Sequence, residues 1–366
     1  MYDAIVVGAR CAGSPTAMLL ARKGCRVLLL DKASFPSDTM STHYIHQPGV
    51  ARLARWGLLD RLRASNAPPI TKLTVSMGEL VITPPPPPEG EPAAEAWCPR
   101  RIVLDKILVD AAIEAGAELR EGFSVRELVR EGGTVCGVRG GSDGSVAEEA
   151  RIVIGADGMH SLVARAVEAP EYRAIPSLTF GYYAYWSGVP HDGAAIHMLE
   201  SCGVLIFPTN DNCVCIAAGS GIEGFHDFRK DVEGNYLRIL ERIPGLGARL
   251  REGRRESRIV GTADQPNFFR KPYGRGWALV GDAGYHRDFI TGLGITDAFR
   301  DAELLADAID DGFTGRQPLE EALAEYERTR NEIATPLYEF TTKMAGLSGP
   351  PTPELFIQFG AAMSRT

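Results

Sequence analysis

Hydrophobic positions along this chain fall into two rhythms, and the switches between them lay out its elements. Ile5, Val6 and Val7 form a short apolar run that turns abruptly at Gly8, and an Ala-, Leu- and Met-rich segment at helical spacing follows. A second run, Val27–Leu30, ends in Asp31. The pattern predicts strand, tight turn, helix, strand. Helical spacing returns over 50–62, where it predicts packing against the sheet, and again over 100–115, where Gly116 supplies the stop. Residues 70–83 predict two strands joined near Met77 and Gly78, and the five prolines 84–88 predict an extended loop with no place inside a sheet. Alternation over 117–120, 124–130 and 134–139 predicts short strands, with a Gly- and Ser-rich hairpin turn at 140–145.

Further along, an apolar strand starting at 150 delivers Gly155, Ala156, Asp157 and Gly158 at its C-terminal end. From 176 the texture changes. Thr, Phe, Tyr and Trp alternate at 179–186, and similar alternation recurs at 195–200, 203–208 and 213–218, which predicts a mostly antiparallel second sheet. Helices are expected at 226–242 and 246–252, and 258–262 and 277–280 are expected to bring the chain back to the first domain. One long helix begins near Gly292 and Gly294, another covers 319–343, and a short tail carries Pro350 and Pro351. No internal repeat is visible.

Composition narrows the class. With 366 residues, 45% hydrophobic and 23% charged, the chain has enough material for one large or two closely packed domains. A net charge of -8 argues against a nucleic-acid or anionic-membrane partner. The sequence runs straight into a strand, leaving no room for a signal peptide, and no apolar stretch approaches the roughly 18 residues of a spanning helix. Seven cysteines, at 11, 25, 98, 136, 202, 213 and 215, include no C-x-x-C pair. Cys213 and Cys215 fit one face of a strand, so reduced thiols, a cytoplasmic location and no metal site are expected.

The first stretch carries the most specific chemistry. Gly8 permits a tight turn, Gly13 permits close packing of helix on strand, and the helix N-terminus offers free N–H groups to a pyrophosphate. Asp31 stands where a carboxylate accepts hydrogen bonds from adenosine ribose hydroxyls. The middle glycine of G-x-G-x-x-G is replaced by Arg10. Read alone, the stretch is either a dinucleotide site or a plain buried strand–turn–helix unit.

Two further signals stand in order behind it: Gly155-Ala-Asp157-Gly158, and Gly281-Asp282-Ala283 leading into a Gly-rich helix start. With Arg101 and Leu104 opening a helix, the set resembles the FAD-dependent monooxygenases of the para-hydroxybenzoate hydroxylase type, a superfamily shared with geranylgeranyl reductases and flavin-dependent halogenases. The likeness spans about 1–310. It implies an α/β chain with a Rossmann-like FAD-binding domain of the glutathione-reductase type, assembled from 1–70, 98–168 and 256–312. A mostly antiparallel substrate domain from 71–97 and 169–255 is inserted, and 313–366 form a C-terminal helical segment. The resemblance places Gly8, Arg10 and Gly13 at the pyrophosphate and Asp31 at the ribose, with Lys32, Ser41, Thr42 and Val125 nearby. Arg101 reaches the ribityl or phosphate region, Asp157 and Gly158 lie near the pyrophosphate, and Asp282 holds a ribityl hydroxyl. Gly292, Leu293, Gly294 and Ile295 lie against the isoalloxazine, where helix-terminus donors suit the negative charge of the reduced ring.

Members of this superfamily usually carry His where Tyr285 stands and Pro where Phe289 stands. The halogenase signature W-x-W-x-I-P is absent, its nearest stretch being 183–190. The implied activity is NAD(P)H-dependent hydroxylation of an aromatic or polyketide-like molecule through a flavin C4a-hydroperoxide, with NAD(P)H docking transiently and the protein a monomer or homodimer. Candidate pocket residues are Tyr183, Tyr185 and His197 from the second sheet, His46 and His286 from loops, and Phe289. Against each stands the plainer expectation that sheet aromatics are core and loop histidines, His43 included, are solvated. A reductase of prenyl or other activated double bonds needs the same FAD motifs, and so does a non-catalytic flavin-binding protein.

Overall fold

The computed structural model describes residues 1–83, 94–142 and 144–346. The predicted proline loop at 84–88 and the tail with Pro350 and Pro351 lie outside them, as does Asp143 of the predicted hairpin turn.

The N-terminal unit forms as its pattern predicts: β1 (Tyr2–Val7), α1 (Gly13–Arg22) and β2 (Val27–Leu30). Pro15 sits in the first turn of α1, where its missing N–H costs no intrahelical bond. Next come α2 (Arg101–Glu114), β3 (Glu118–Arg120) and β4 (Val146–Gly155). β1 lies between β4 and β2, β3 extends the β2 edge, and a strand at Trp277–Leu279 flanks β4; these pairings are all parallel. The antiparallel hairpin of Val125–Glu131 and Thr134–Gly140 joins the start of β4.

Both faces of this sheet are covered, which is why its central strands read as continuous apolar runs rather than alternating ones. Ala4, Val6, Leu29 and Ile152 face α1 and α2, packing with Leu20, Leu104 and Leu108. Ile5, Val7, Leu28 and Val153 face the other way, onto Phe123, Val138 and Val163.

The second sheet is built on β5 (Thr179–Ser187), β6 (Ala194–Leu199), β7 (Cys202–Pro208) and β8 (Cys213–Gly221). Its order is β5-β8-β7-β6, continued by Leu73–Met77 and Leu80–Ile82; only the pairing of β6 with Leu73–Met77 is parallel. One face packs Phe180, Trp186, Val214 and Ile216 onto Tyr236 and Leu240 of the helix Val232–Glu241. The other face carries Tyr183, Tyr185, Cys213 and Cys215, so the two cysteines do share one side of a strand. All seven cysteines are free thiols.

Three expectations change. The predicted helix over 50–62 is two, Gln47–Arg55 and Leu59–Arg63, parted at Gly57 with φ +78. The one over 226–242 is interrupted at Asp231, whose carboxylate caps Gly234 N at 2.9 Å. Residues 258–262 do not return to the first domain: Val260–Thr262 pairs with β5, and Glu256 N donates to Tyr185 O at 2.8 Å. The return comes at β9 (Trp277–Leu279), followed by α3 (Gly294–Phe313) and α4 (Leu319–Ala345).

Candidate functional site

The C-terminal ends of β1, β2 and β4 open into a cavity of about 890 Å³ whose opposite wall is the second sheet. Gly8, Arg10, Asp31, Lys32, Ser41, Thr42, Arg101 and Val125 line it, with Asp157, Gly158, Asp282, Gly292, Gly294 and Ile295. On the far side it is lined by Tyr183, His197, His286 and Phe289. Of the residues picked out from the sequence, Gly13, Leu293, His46 and Tyr185 are packed behind these walls rather than on them.

The turn after β1 is as tight as its glycines allow. Gly8 has φ +104, and a Cβ there would sit 2.5 Å from Ala156 O; a Cβ on Gly13 would sit 1.7 Å from Gly8 O. Asp31 ties β2 to this turn, accepting from Ala9 N at 2.7 Å and Ala33 N at 2.8 Å. Each carboxylate oxygen keeps a lone pair for a further donor, which suits a ribose hydroxyl.

Arg10 and Arg101 converge on one carboxylate. Arg10 Nη1 reaches Asp105 Oδ2 at 2.5 Å, and Arg101 donates to both Asp105 oxygens at 2.9 and 3.1 Å. Asp105 is fully buried. Two cations against one anion leave a positive charge on the cavity wall beside the start of α1, where an anionic group is favoured. Arg10 thus stands in for the missing glycine by turning aside, its Nη2 also bonding Ser37 Oγ at 3.1 Å. Asp105 was not singled out in the sequence, although its i,i+4 spacing from Arg101 was a signal for the pair.

Asp157 does local work. Its carboxylate accepts from Ser161 Oγ, Leu162 N and Val163 N, closing the loop before the helix Leu162–Ala166, and burial raises its pKa. Asp282 and Lys32, by contrast, are exposed to the cavity.

The segment from His286 to Gly292 is pinned to both sheets' neighbours. Asp288 N donates to Asn267 Oδ1 at 2.7 Å, and Thr179 Oγ1 of β5 donates to Asp288 Oδ2 at 2.6 Å. Gly292 takes φ +62, turning the chain into α3. Phe289 reaches across to β5: a Cβ on Gly181 would lie 2.5 Å from its ring. A side chain at 181 would displace that ring.

The histidines divide. His286 Nδ1 is held by Pro266 O, and His197 faces the cavity from β6 with its pKa lowered by burial. His46 is not solvated; its Nε2 meets Thr291 O at 2.9 Å, and burial lowers its pKa to about 4. His43 is fully buried, with φ +63, and its Nε2 meets Tyr185 OH at 2.7 Å. Burial, with Arg101 and Arg100 nearby, lowers its pKa to about 3, so it stays neutral. Tyr185 is consequently an internal strut, with Arg100 over its ring at 4.7 Å. Tyr183 remains on the cavity wall, its phenol pushed up to about 12 by burial.

A turn that excludes side chains, a ribose-type carboxylate and a positive wall in one long cavity define a dinucleotide-coenzyme site of the FAD type. The family model described as FAD binding domain matches residues 1–341, and the chain belongs to that family, hence to the FAD-dependent oxidoreductases. It is 28% identical over 308 residues to digeranylgeranylglycerophospholipid reductase 2 of Methanopyrus kandleri, covering 80% of this chain and 73% of that protein. It is 29% identical over 266 residues to the protein FixC of Escherichia coli strain K12, covering 63% and 58%. In fold it matches the myxobacterial chondrochloren halogenase CndH with a TM-score of 0.87 at 22% identity, covering 99% of this chain and 90% of that one. PqsL of Pseudomonas aeruginosa, described as a probable FAD-dependent monooxygenase, matches with a TM-score of 0.81 at 18% identity, covering 99% of both chains.

Proposed function

We propose that the protein is an NAD(P)H-consuming FAD monooxygenase that hydroxylates a small, uncharged aromatic or polyketide-like molecule. The observation that carries this reading is the division of charge in the cavity. Its cationic lining residues, Arg10, Lys32, Arg101, Arg165 and Arg287, all come from outside β5–β8. The wall from the second sheet presents Tyr183, Leu205, Phe207, Cys215 and Ala217 instead. A substrate bearing a carboxylate or phosphate over this wall would leave its charge unpaired, at a cost of several kcal/mol. Aromatic and aliphatic walls repay burial of an apolar ring at roughly 25 cal/mol per Å².

Bound FAD supplies hydride acceptance from NAD(P)H and activation of dioxygen. The chain's own groups hold and orient. Gly8, Arg10, Asp31 and Arg101 fix the nucleotide end, and Asp282 with the start of α3 fixes the ring end. Phe289, braced on Gly181, and Tyr183 face the space left for substrate and keep water from it. His197 is the neutral base within the same wall. NAD(P)H docks transiently, since one dinucleotide-binding unit is present among the described residues.

A second reading is favoured by two observations. Phe289 occupies the position where the monooxygenases usually carry proline, and the sequence relatives include reductases of isoprenoid lipids. In that case a hydride and a solvent-derived proton would add across a carbon–carbon double bond, and no oxygen would be used. Turnover with candidate substrates under air and under nitrogen separates them. The monooxygenase reading expects one dioxygen consumed per product and no product under nitrogen; equal product in both atmospheres would establish the reductase.

A further inference from the structure

Behind the ring end of the cavity lies a group of buried charges, of which Arg287 and Asp301 are incompletely partnered. Arg287 is 3% exposed at its side chain and donates through Nη2 to Asp297 Oδ2. Its Nε and Nη1 are buried with no hydrogen-bond partner among the described residues. Asp297 Oδ1 is taken by Arg300 Nη1 at 2.8 Å, and Asp301 Oδ1 by Arg300 Nε and Nη2 at 2.9 and 2.7 Å. Arg287 lines both the main cavity and a second one of about 20 Å³ that adjoins Asp282, Gly294, Asp297 and Asp301. Tyr285 OH and Asp301 Oδ2 are also unpartnered there.

An orphaned buried donor costs roughly 1–3 kcal/mol, and a guanidinium holding two of them has capacity for a further acceptor beyond its direct bond to Asp297. The small cavity has room for one water, for which about 10–15 Å³ suffices. Arg287 and Arg300 are balanced by Asp297 and Asp301, and Asp282 adds a negative charge, so a free anion is disfavoured. An electron-rich edge of a neutral ring is not. The N-terminus of α3, twenty residues long, adds a partial positive charge beside it.

We propose that Arg287 sets the electron affinity of the bound flavin: its unpaired N–H groups, directly or across one water, face the pyrimidine edge of the ring and favour the reduced coenzyme, which gains negative charge there. This rests on the FAD placement above. Neither the family resemblance nor the motif spacing pointed to residue 287.

The test uses the purified holoprotein with sulfite, which adds its electron pair to oxidised flavin and leaves negative charge on the ring. FAD affinity, sulfite affinity and midpoint potential are measured for the unaltered protein, Arg287→Lys, Arg287→Leu, and Arg287→Leu combined with Asp297→Asn. The double variant leaves no uncompensated carboxylate and guards against misfolding of the single one. Arg287→Leu and the double variant are expected to bind FAD within about threefold of normal while sulfite affinity falls about tenfold, equivalent to about 30 mV in a two-electron potential. Arg287→Lys is expected to keep most of both. Unchanged sulfite affinity and potential in variants that bind FAD overturn the proposal. Loss of FAD itself from the double variant also overturns it, since Arg287 would then hold the coenzyme rather than tune it. Failure of the unaltered protein to bind FAD would instead remove the placement on which the proposal stands.

Discussion

Asp31 acts on two structures at once. Its carboxylate holds the backbone of the Gly8 turn through Ala9 N and Ala33 N and still faces the cavity. Replacing it with Ala removes the turn's acceptor and, in the proposed FAD placement, the ribose partner, and FAD affinity measured by fluorescence quenching is expected to fall at least about tenfold, or 1.4 kcal/mol. Asn keeps one acceptor oxygen and loses less; equal losses in the two variants would contradict the carboxylate's role. Gly8, Gly13 and Asp31 were legible in the sequence because each position demands a particular residue type. A Cβ 1.7 Å from Gly8 O admits nothing but glycine at 13. Asp105 was harder to read, because Arg10, one of its two cations, lies 95 residues away, and only the helical pairing with Arg101 is local. His43 looked like a solvated loop residue, since nothing local announces that Tyr185, 142 residues on, closes over it.

Among elements, the segment from His43 to the helix Gln47–Arg55 couples folding to pH. His43 and His46 are held neutral, with pKa values lowered by burial to about 3 and about 4. The unfolded chain binds protons at both near pH 6.5 while the folded chain does not, so stability is fully present above 6.5 and is lost as pH falls. Between pH 6.5 and 5 the unfolding free energy should decline by up to about 1.4 kcal/mol per pH unit for each imidazole. Denaturant unfolding across that range checks it, and His46→Asn should make the decline shallower. A flat profile, or one falling toward alkaline pH, would contradict the burial. Patterned elements were legible: β1 and β2 appear where apolar runs placed them, α2 where helical spacing did, and the four strands β5–β8 where alternation did. The strand Val260–Thr262, expected in the first domain, pairs with β5 instead, because three residues carry no period and β5 had an edge to offer.

At the scale of the whole molecule, the main cavity has two unlike walls. The parallel sheet and its loops bring the cations and the glycine turn; the second sheet brings aromatic and aliphatic side chains and no lysine or arginine. The first wall was readable as three separated motifs. The second was readable only as a sheet, since which face of β5–β8 meets the cavity depends on the helix Val232–Glu241 covering the opposite one. The most direct measurement is the visible spectrum of the FAD-loaded protein titrated with matched aromatic ligands, one an ester or amide and the other its free acid. The uncharged ligand is expected to perturb the flavin bands and bind at least about tenfold more tightly, the penalty of an unpaired buried charge being above 1.4 kcal/mol. Equal or tighter binding of the free acid would contradict it.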